Sequence, residues 1–308
     1  MIYPYQVILE SCDKCNLACE GCYRWLKSDL VANTVMPWDV WKDVVDSLTW
    51  KPLVCAFSHG EIFLDPLLPK RLAYLAEAGH RTDFGTNGTL LREDVLDVVF
   101  SRTDMLYQIV VSLDGLHDQT RKAFRHLSAT DLPKPVAFVE ELLRRKALLA
   151  NPRSFNVIVS MVNAGQDRLE LEAFAKYWLR RGVDIVLWRK FLDSNPTPFA
   201  YPKQSCEYLN GHIATVSANG LMRICDRNVH CTWLEDVRKT SVLDQYNGKT
   251  MSEYRERFPQ GPCATCAQVY SGESFSGQVF FADGFACLYR DDYYNQMFFN
   301  IENFRSKT

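Results

Sequence analysis

The strongest constraint on the fold is an alternation of short apolar runs with longer amphipathic stretches along the chain. Such alternation is typical of strand-helix repeats that build a parallel sheet with helices packed outside it. We therefore predict an α/β fold in which about six parallel strands form a partial, TIM-like (β/α)6 barrel. The predicted strands lie at residues 5–11, 53–60, 81–88, 107–115, 155–163 and 183–191.

The amphipathic stretches between these runs are predicted to be helices, since several begin with a proline or an acidic first turn and end at glycine. In parallel α/β folds the chemistry gathers at the carboxyl ends of the strands. The residues that follow the first four runs are rich in Gly, Asn, Asp and Cys. The predicted helices lie at residues 37–48, 66–79, 92–100, 135–149 and 168–182.

A proline-bearing connector at residues 193–204 interrupts the alternation and indicates a domain boundary. We predict a barrel domain over residues 1–195 and a small auxiliary domain over residues 196–308. The latter ends in a strand, an Asp-Gly turn and a second strand, which together predict a hairpin.

Composition narrows the class of protein. With 47% hydrophobic and 23% charged residues the chain is typical of a soluble globular protein. No run approaches the roughly 20 apolar residues of a membrane helix, so no membrane partner is expected. The first ten residues lack the features of a secretory signal, which favours a cytoplasmic location. A net charge of -2 with no basic patch argues against nucleic acid as a partner.

The segment CDKCNLACEGCY holds four cysteines, Cys12, Cys15, Cys19 and Cys22, and the last three follow the pattern C-x3-C-x2-C. In a reducing compartment, clustered cysteines indicate metal ligation or catalysis. Three thiolates from one loop can hold three irons of a four-iron cluster and leave the fourth open. The alternative is a zinc site with Cys12 as its fourth ligand, in a non-catalytic binding protein.

Four segments that follow successive predicted strands resemble the radical S-adenosylmethionine (SAM) enzymes: CNLACEGC, SHGEI, GTNGTLL and VSLDGLHDQTRKAFR. The second is similar to the family's Gly-Gly-Glu-Pro segment, with His59 and Ile62 as substitutions. The resemblance implies that Cys15, Cys19 and Cys22 bind a [4Fe-4S] cluster whose open iron chelates SAM. The SAM would then be cleaved to a 5′-deoxyadenosyl radical that abstracts hydrogen from the substrate, and a flavodoxin-like or ferredoxin-like protein would donate the electron.

The same resemblance implies contacts with SAM at the strand ends. Its amino group would meet Ser58, Gly60 and Glu61, and its ribose or carboxylate would lie near Asn87, Ser112 and Asp114. Where the family often has an aromatic residue beside adenine, this chain has Gly21, so Tyr23 or Phe57 is expected to replace it.

A second group of cysteines follows the connector, and its Cys263 and Cys266 form a C-x2-C pair. By ligand count, four thiolates suit either zinc or a four-iron cluster. The segments around them resemble the twitch/SPASM-like auxiliary modules of radical SAM enzymes, which implies an auxiliary [4Fe-4S] cluster bound by Cys206, Cys225, Cys263 and Cys266.

The remaining cysteines bear on the reaction. A spare thiol, Cys231 or Cys287, would donate hydrogen in an epimerisation, whereas dehydrogenation would use the auxiliary cluster as electron acceptor. Cys12 and Cys55 are expected to be buried small hydrophobes. About five residues precede the first predicted strand, so no amino-terminal leader-binding domain is expected. A small polar substrate such as an amino sugar or aminocyclitol is therefore preferred, with peptide modification as the alternative. Trp188, Arg189 and Lys190 are candidate substrate contacts.

Overall fold

The computed structural model describes residues 1–20, 22, 24, 31–163, 168–190, 209, 213–225, 233–258, 277–280, 285–290 and 295–300. Of Asn163, Arg168, Arg189, Lys190 and the strands after residue 276, only the backbone is described. The chain divides into two compact units. Unit 1 comprises Met1–Asn16, Cys22–Phe84 and Asp193–Gly272, and unit 2 comprises Leu17–Gly21, Gly85–Leu192 and Glu273–Thr308.

Unit 1 is a sheet with helices. Its strands are β1 (Gln6–Leu9), β2 (Leu53–Cys55), the first residues of β3 (Thr82–Thr86), β7 (Ile213–Val216), β8 (Leu221–Arg223) and β9 (Trp233–Asp236). They pair in the order β3-β2-β1-β7-β8-β9. β1 runs parallel to β2 and β7, β2 runs parallel to β3, and β8 is antiparallel to both neighbours. The helices are α1 (Trp38–Ser47), a 3-10 turn (Ile62–Leu64), α2 (Leu68–Glu77), α7 (Val242–Tyr246) and α8 (Lys249–Arg257).

Unit 2 has a second sheet. Its strands are β4 (Leu106–Ser112), β5 (Asn156–Asn163), β6 (Ile185–Lys190), β10 (Gly277–Phe280), β11 (Phe285–Arg290) and β12 (Asn295–Asn300). They pair in the order β4-β5-β6-β12-β11-β10, parallel up to β6 and antiparallel beyond it. The helices are α3 (Glu93–Ser101), α4 (Asp118–Arg125), α5 (Lys134–Ala147) and α6 (Arg168–Arg180).

The core of unit 1 has a hydrophobic cluster on each face of β1. Val7 and Leu9 pack with Trp41 of α1 in one hydrophobic cluster, whereas Ile8 packs with Cys55 in another. β1 is thus buried on both faces, as is typical of strands in parallel sheets. The helix-facing cluster also takes in Ala214, Val216, Met222 and Ile224 of the β7-β8 hairpin.

The predicted α/β class and all six predicted parallel strands are confirmed, as are the five predicted helices. Where the terminal hairpin is predicted, β10 and β11 pair antiparallel, and the structure adds β12, which pairs with β6. Sequence patterns missed α4, α7, α8, β7, β8 and β9. Closure into a partial barrel and the boundary between residues 1–195 and 196–308 stay predictions. Within the described ranges, none of the helices has the length and apolarity needed to cross a bilayer.

Candidate functional site

The start of the cysteine loop is anchored in unit 1 by Asp13. Its two carboxylate oxygens accept the N–H groups of Ala32 and Thr34, at 2.7 and 2.5 Å. Its own N–H donates to the carbonyl oxygen of Thr34 at 3.1 Å. Because charged acceptors form the stronger hydrogen bonds, the two carboxylate contacts contribute most to fixing the backbone from which the cysteines project.

The segment after β2 packs directly against this loop. A Cβ atom added at Gly60 would lie 2.2 Å from the carbonyl oxygen of Cys12 and 2.6 Å from the Cα atom of Asp13. The next residue, Glu61, donates its N–H to the carbonyl oxygen of Lys14 at 2.6 Å. Glu61 is buried, and its Oε1 atom accepts the N–H of Phe63 at 3.1 Å. Gly60 is therefore required by the close approach of two backbones.

Cys15, Cys19 and Cys22 are all half-buried. Across the described ranges, no three His, Cys, Asp or Glu side chains are grouped so that they could share one metal ion. A four-iron cluster takes each thiolate on a different iron, so its ligands need not converge on one point. The donor set of three thiols on one short loop fits such a cluster. Nothing in the same residues favours a single zinc ion.

Two other cysteines, Cys12 and Cys55, are buried. Burial raises the pKa of Cys12 from 9.0 to about 12. Cys55 is 5% exposed and donates to the carbonyl oxygen of Phe57 at 3.5 Å. Both observations agree with the prediction that these residues act as small hydrophobes. The half-buried Cys225 packs against the cluster formed by Ile8 and Cys55.

A buried polar cluster lies at the ends of β1, β2 and β8 within unit 1. The N–H of His59 donates to Oε1 of Glu10 at 2.6 Å, and Nη2 of Arg223 lies 3.1 Å from Nδ1 of His59. Nη2 of Arg223 is also 3.6 Å from Oε2 of Glu10. Ser58, predicted to contact SAM, lies with its Oγ atom 3.0 Å from His59 Nδ1. Sequence reasoning noted His59 only as a departure from the family pattern, and missed Glu10 and Arg223.

In unit 2 the predicted SAM contacts at the ends of β3 and β4 are tied into the fold. Oδ1 of Asn87 accepts both the N–H and the hydroxyl of Thr89, at 2.9 and 2.6 Å. Ser112 Oγ accepts a hydrogen bond from the hydroxyl of Ser160 at 3.3 Å. Oδ1 of Asp114 accepts the N–H of Val162 at 2.9 Å. Their predicted contacts with SAM stay predictions, alongside these structural roles.

Several predicted site residues lie outside the described part of the chain, namely Tyr23, Cys206, Cys231, Cys263 and Cys266. For Cys287 the backbone lies in β11, opposite Phe298 of β12. Trp188, a candidate substrate contact in β6, is 7% exposed, and its Nε1 atom has no hydrogen-bond partner among the described residues. The auxiliary cluster and the catalytic thiols therefore stay predictions.

Comparison with known protein families places these residues in context. The family model described as the Radical SAM superfamily matches residues 9–175, a range that holds the cysteine loop and the ends of the strands described above.

Among curated proteins, the chain is similar to the antilisterial bacteriocin subtilosin biosynthesis protein AlbA of Bacillus subtilis (strain 168). The two are 28% identical over 191 residues, which cover 59% of this chain and 42% of AlbA. The match thus spans less than half of that relative's length.

Two solved structures share the fold. Streptococcus suis SuiB bound to precursor peptide SuiA superposes with a TM-score of 0.66 at 10% identity, over 89% of this chain and 72% of that one. BtrN in complex with AdoMet and 2-DOIA superposes with a TM-score of 0.52 at 14% identity, over 88% and 95%. At such identities the likeness concerns the fold alone.

Proposed function

We propose that this chain, which belongs to the Radical SAM superfamily, is a radical SAM enzyme that modifies a carbon atom of a peptide. Cys15, Cys19 and Cys22 would hold a [4Fe-4S] cluster beside bound SAM. When bound, these two groups supply a one-electron reduction and a hydrogen-abstracting radical, and the protein supplies binding and orientation.

The chain's own residues have defined tasks in this proposal. Asp13 fixes the start of the cysteine loop through the N–H groups of Ala32 and Thr34. Gly60 lets the β2 end approach that loop, and Glu61 bonds to it through the carbonyl oxygen of Lys14. Rigid placement matters because a reacting carbon must sit within van der Waals reach of the radical carbon for productive transfer.

The match to AlbA carries the choice of substrate class. It extends over 59% of this chain, and that relative is named for the biosynthesis of a bacteriocin. The fold shared with SuiB, whose structure holds a precursor peptide, agrees with a peptide substrate. An amino sugar or aminocyclitol is therefore the second candidate.

The reaction proposed on that substrate is epimerisation, because Cys231 and Cys287 remain after the predicted cluster ligands are assigned. A planar carbon radical that takes a hydrogen atom from a thiol on the opposite face inverts its configuration. The thiyl radical left on the cysteine would then return to the thiol by taking one electron from the external electron donor and one proton from solvent. Dehydrogenation is the alternative, with the auxiliary cluster of Cys206, Cys225, Cys263 and Cys266 accepting the second electron. A flavodoxin-like or ferredoxin-like protein is proposed as the electron donor.

The first experiment tests the radical SAM chemistry. Protein reconstituted anaerobically with iron and sulfide, then reduced with dithionite, should convert SAM to 5′-deoxyadenosine. Cys19→Ala should abolish this conversion, whereas Cys12→Ala should retain it. Unchanged conversion in Cys19→Ala would refute the cluster assignment, and uptake of zinc in place of iron would favour the binding-protein alternative.

The second experiment tests substrate and reaction. Synthetic peptides encoded beside the protein's own gene and the aminocyclitol 2-deoxystreptamine are each added in deuterated water. Stimulated 5′-deoxyadenosine formation with a one-deuterium gain in a peptide supports peptide epimerisation. Loss of two hydrogens without label indicates dehydrogenation, and stimulation by the aminocyclitol alone refutes the peptide proposal.

A further inference from the structure

The last turn of α4 bonds to three segments that carry predicted site residues, all within unit 2. The carbonyl oxygen of Phe124 accepts the N–H of Glu20, which directly follows Cys19, at 2.9 Å. Nη1 of the next residue, Arg125, donates to the carbonyl oxygen of Asn87 at 3.3 Å and to that of Ser112. One helical turn thus joins the Leu17–Gly21 segment to the ends of β3 and β4.

The charge of Arg125 is buried and has an acidic neighbour. Its side chain is 2% exposed, and its Nε atom lies 3.6 Å from Oδ2 of Asp114, which is 5% exposed. Asp114 has a φ of 58°, a left-handed conformation that is uncommon outside glycine. Val162 holds Asp114 in place by donating its N–H to Oδ1.

A buried ion pair is weak evidence for stability, because desolvation of both charges offsets their attraction, and apolar replacements are often equally stable. The contacts of Arg125 are better explained by the two strand ends, at Asn87 and Ser112, that they hold in place. Its guanidinium presents several donors in a rigid planar fork, and here one end of that fork bonds to two backbone carbonyl groups at neighbouring strand ends.

We propose that Arg125 is a positioning residue for SAM: it sets the ends of β3 and β4 against the segment that carries Cys19. This inference rests on the proposed function, since it assumes that SAM binds at those strand ends. Arg125 acts through backbone groups, so its loss should weaken SAM binding rather than slow the step that follows.

The test compares Arg125→Met and Arg125→Lys with Arg145→Met. Arg145 of α5 is the control, because it is an ion-paired arginine whose partners, Glu93, Asp97 and Glu141, include no predicted site residue. Three quantities are measured on anaerobically reconstituted protein. They are the Kd of SAM without reductant, the steady-state KM and kcat for SAM cleavage, and amide hydrogen exchange in the Leu17–Gly21 segment.

Arg125→Met should raise the Kd and KM of SAM by about tenfold with kcat within about threefold of wild type, the pattern of lost uniform binding. The amide of Glu20 should exchange faster. Arg125→Lys should show a rise of only about threefold, because an ammonium group donates to a carbonyl but lacks the fork. Arg145→Met should match the wild type in all three measurements.

Three results would overturn the inference: an unchanged Kd of SAM in Arg125→Met, an equal rise in Arg145→Met, or a loss of kcat with KM unchanged. Should Arg125→Met fail to fold, Arg125→Lys carries the test. A rise of about threefold in the Kd of SAM at wild-type iron content would support the inference, and an unchanged Kd would count against it. Wild-type protein that binds SAM but forms no 5′-deoxyadenosine refutes the proposed function alone, since the Kd and exchange data still test Arg125.

Discussion

The Gly60→Ala substitution offers a direct test of how the β2 end supports the cysteine loop. The added Cβ would lie 2.2 Å from the carbonyl oxygen of Cys12 and within 2.8 Å of two atoms of Asp13. All three are backbone atoms, so no side chain can rotate away to make room. One of the two segments must move.

The size of that movement follows from the distance. Real Cβ contacts essentially never fall below 3.0 Å, so the Cys12 carbonyl and the Gly60 backbone must separate by about 0.8 Å at least. Overpacking of this kind destabilises a fold by about 1–3 kcal/mol. Metal-ligand distances tolerate only about 0.2 Å, so a loop displaced by several times that amount should bind its cluster poorly.

The assay is iron and sulfide content per chain after anaerobic reconstitution, measured beside the midpoint of urea unfolding. Gly79→Ala is the control: Gly79 has a φ of +72° and nothing within 4 Å of its added Cβ. Alanine there costs roughly 1–2 kcal/mol for the left-handed conformation without touching the loop. We expect Gly60→Ala to lose most of its iron and Gly79→Ala to keep it. Wild-type iron content in Gly60→Ala, or equal loss in both variants, would refute the reasoning.

Further predictions concern the loop and unit 2. The Cys12 thiol, with its pKa raised from 9.0 to about 12, should resist iodoacetamide at pH 9.0 until the protein unfolds. The free energy of unfolding should fall as the pH rises from 9.0 to about 12, because the unfolded chain loses the Cys12 proton at a lower pH than the folded chain. Urea titrations at several pH values would measure this fall. Asp13→Asn should speed amide exchange at Thr34 and lower iron uptake, because an amide has one acceptor oxygen for two N–H groups. Lys146 donates to Asp184 in a largely buried pair, so Lys146→Met should lower the free energy of unfolding by about 3–5 kcal/mol. A double variant that also carries Asp184→Asn should recover much of this loss, and no recovery would contradict the assignment.

The six parallel strands were predictable because most of them are short apolar runs, and because an amphipathic helix lies between each strand and the next. In β1, for example, Val7 and Ile8 are apolar neighbours that face different hydrophobic clusters. The cysteine pattern likewise indicated a metal site from its spacing alone. These local sequence patterns were sufficient because hydrophobic patterning, helix boundaries and strand order all favour the same α/β fold.

The strands and helices that the sequence did not predict depend on contacts between residues far apart along the chain. β7 pairs with β1 in parallel, through Gln6 and Ile213 among others, and no local pattern specifies a partner so far along the chain. The short helix α4 is rich in polar residues, and three of its eight positions, including Arg121 and Arg125, are buried. An arginine in such a helix is normally read as solvent-exposed, so its role in holding two strand ends could not be derived from sequence.

The residues that the family resemblance assigns to SAM also stabilise the scaffold. Glu61 caps the turn at Phe63, Asn87 holds Thr89, and Asp114 bonds to Val162 of β5. Loss of activity on substituting any of them therefore cannot by itself identify a ligand contact, because a displaced strand end would have the same effect. Binding and folding must be measured together: a true contact raises the Kd of SAM at constant unfolding free energy, whereas a scaffold residue changes both. By this criterion Ser112 is the most informative position, since its side-chain bond to Ser160 is long, at 3.3 Å, and its removal should disturb the fold least.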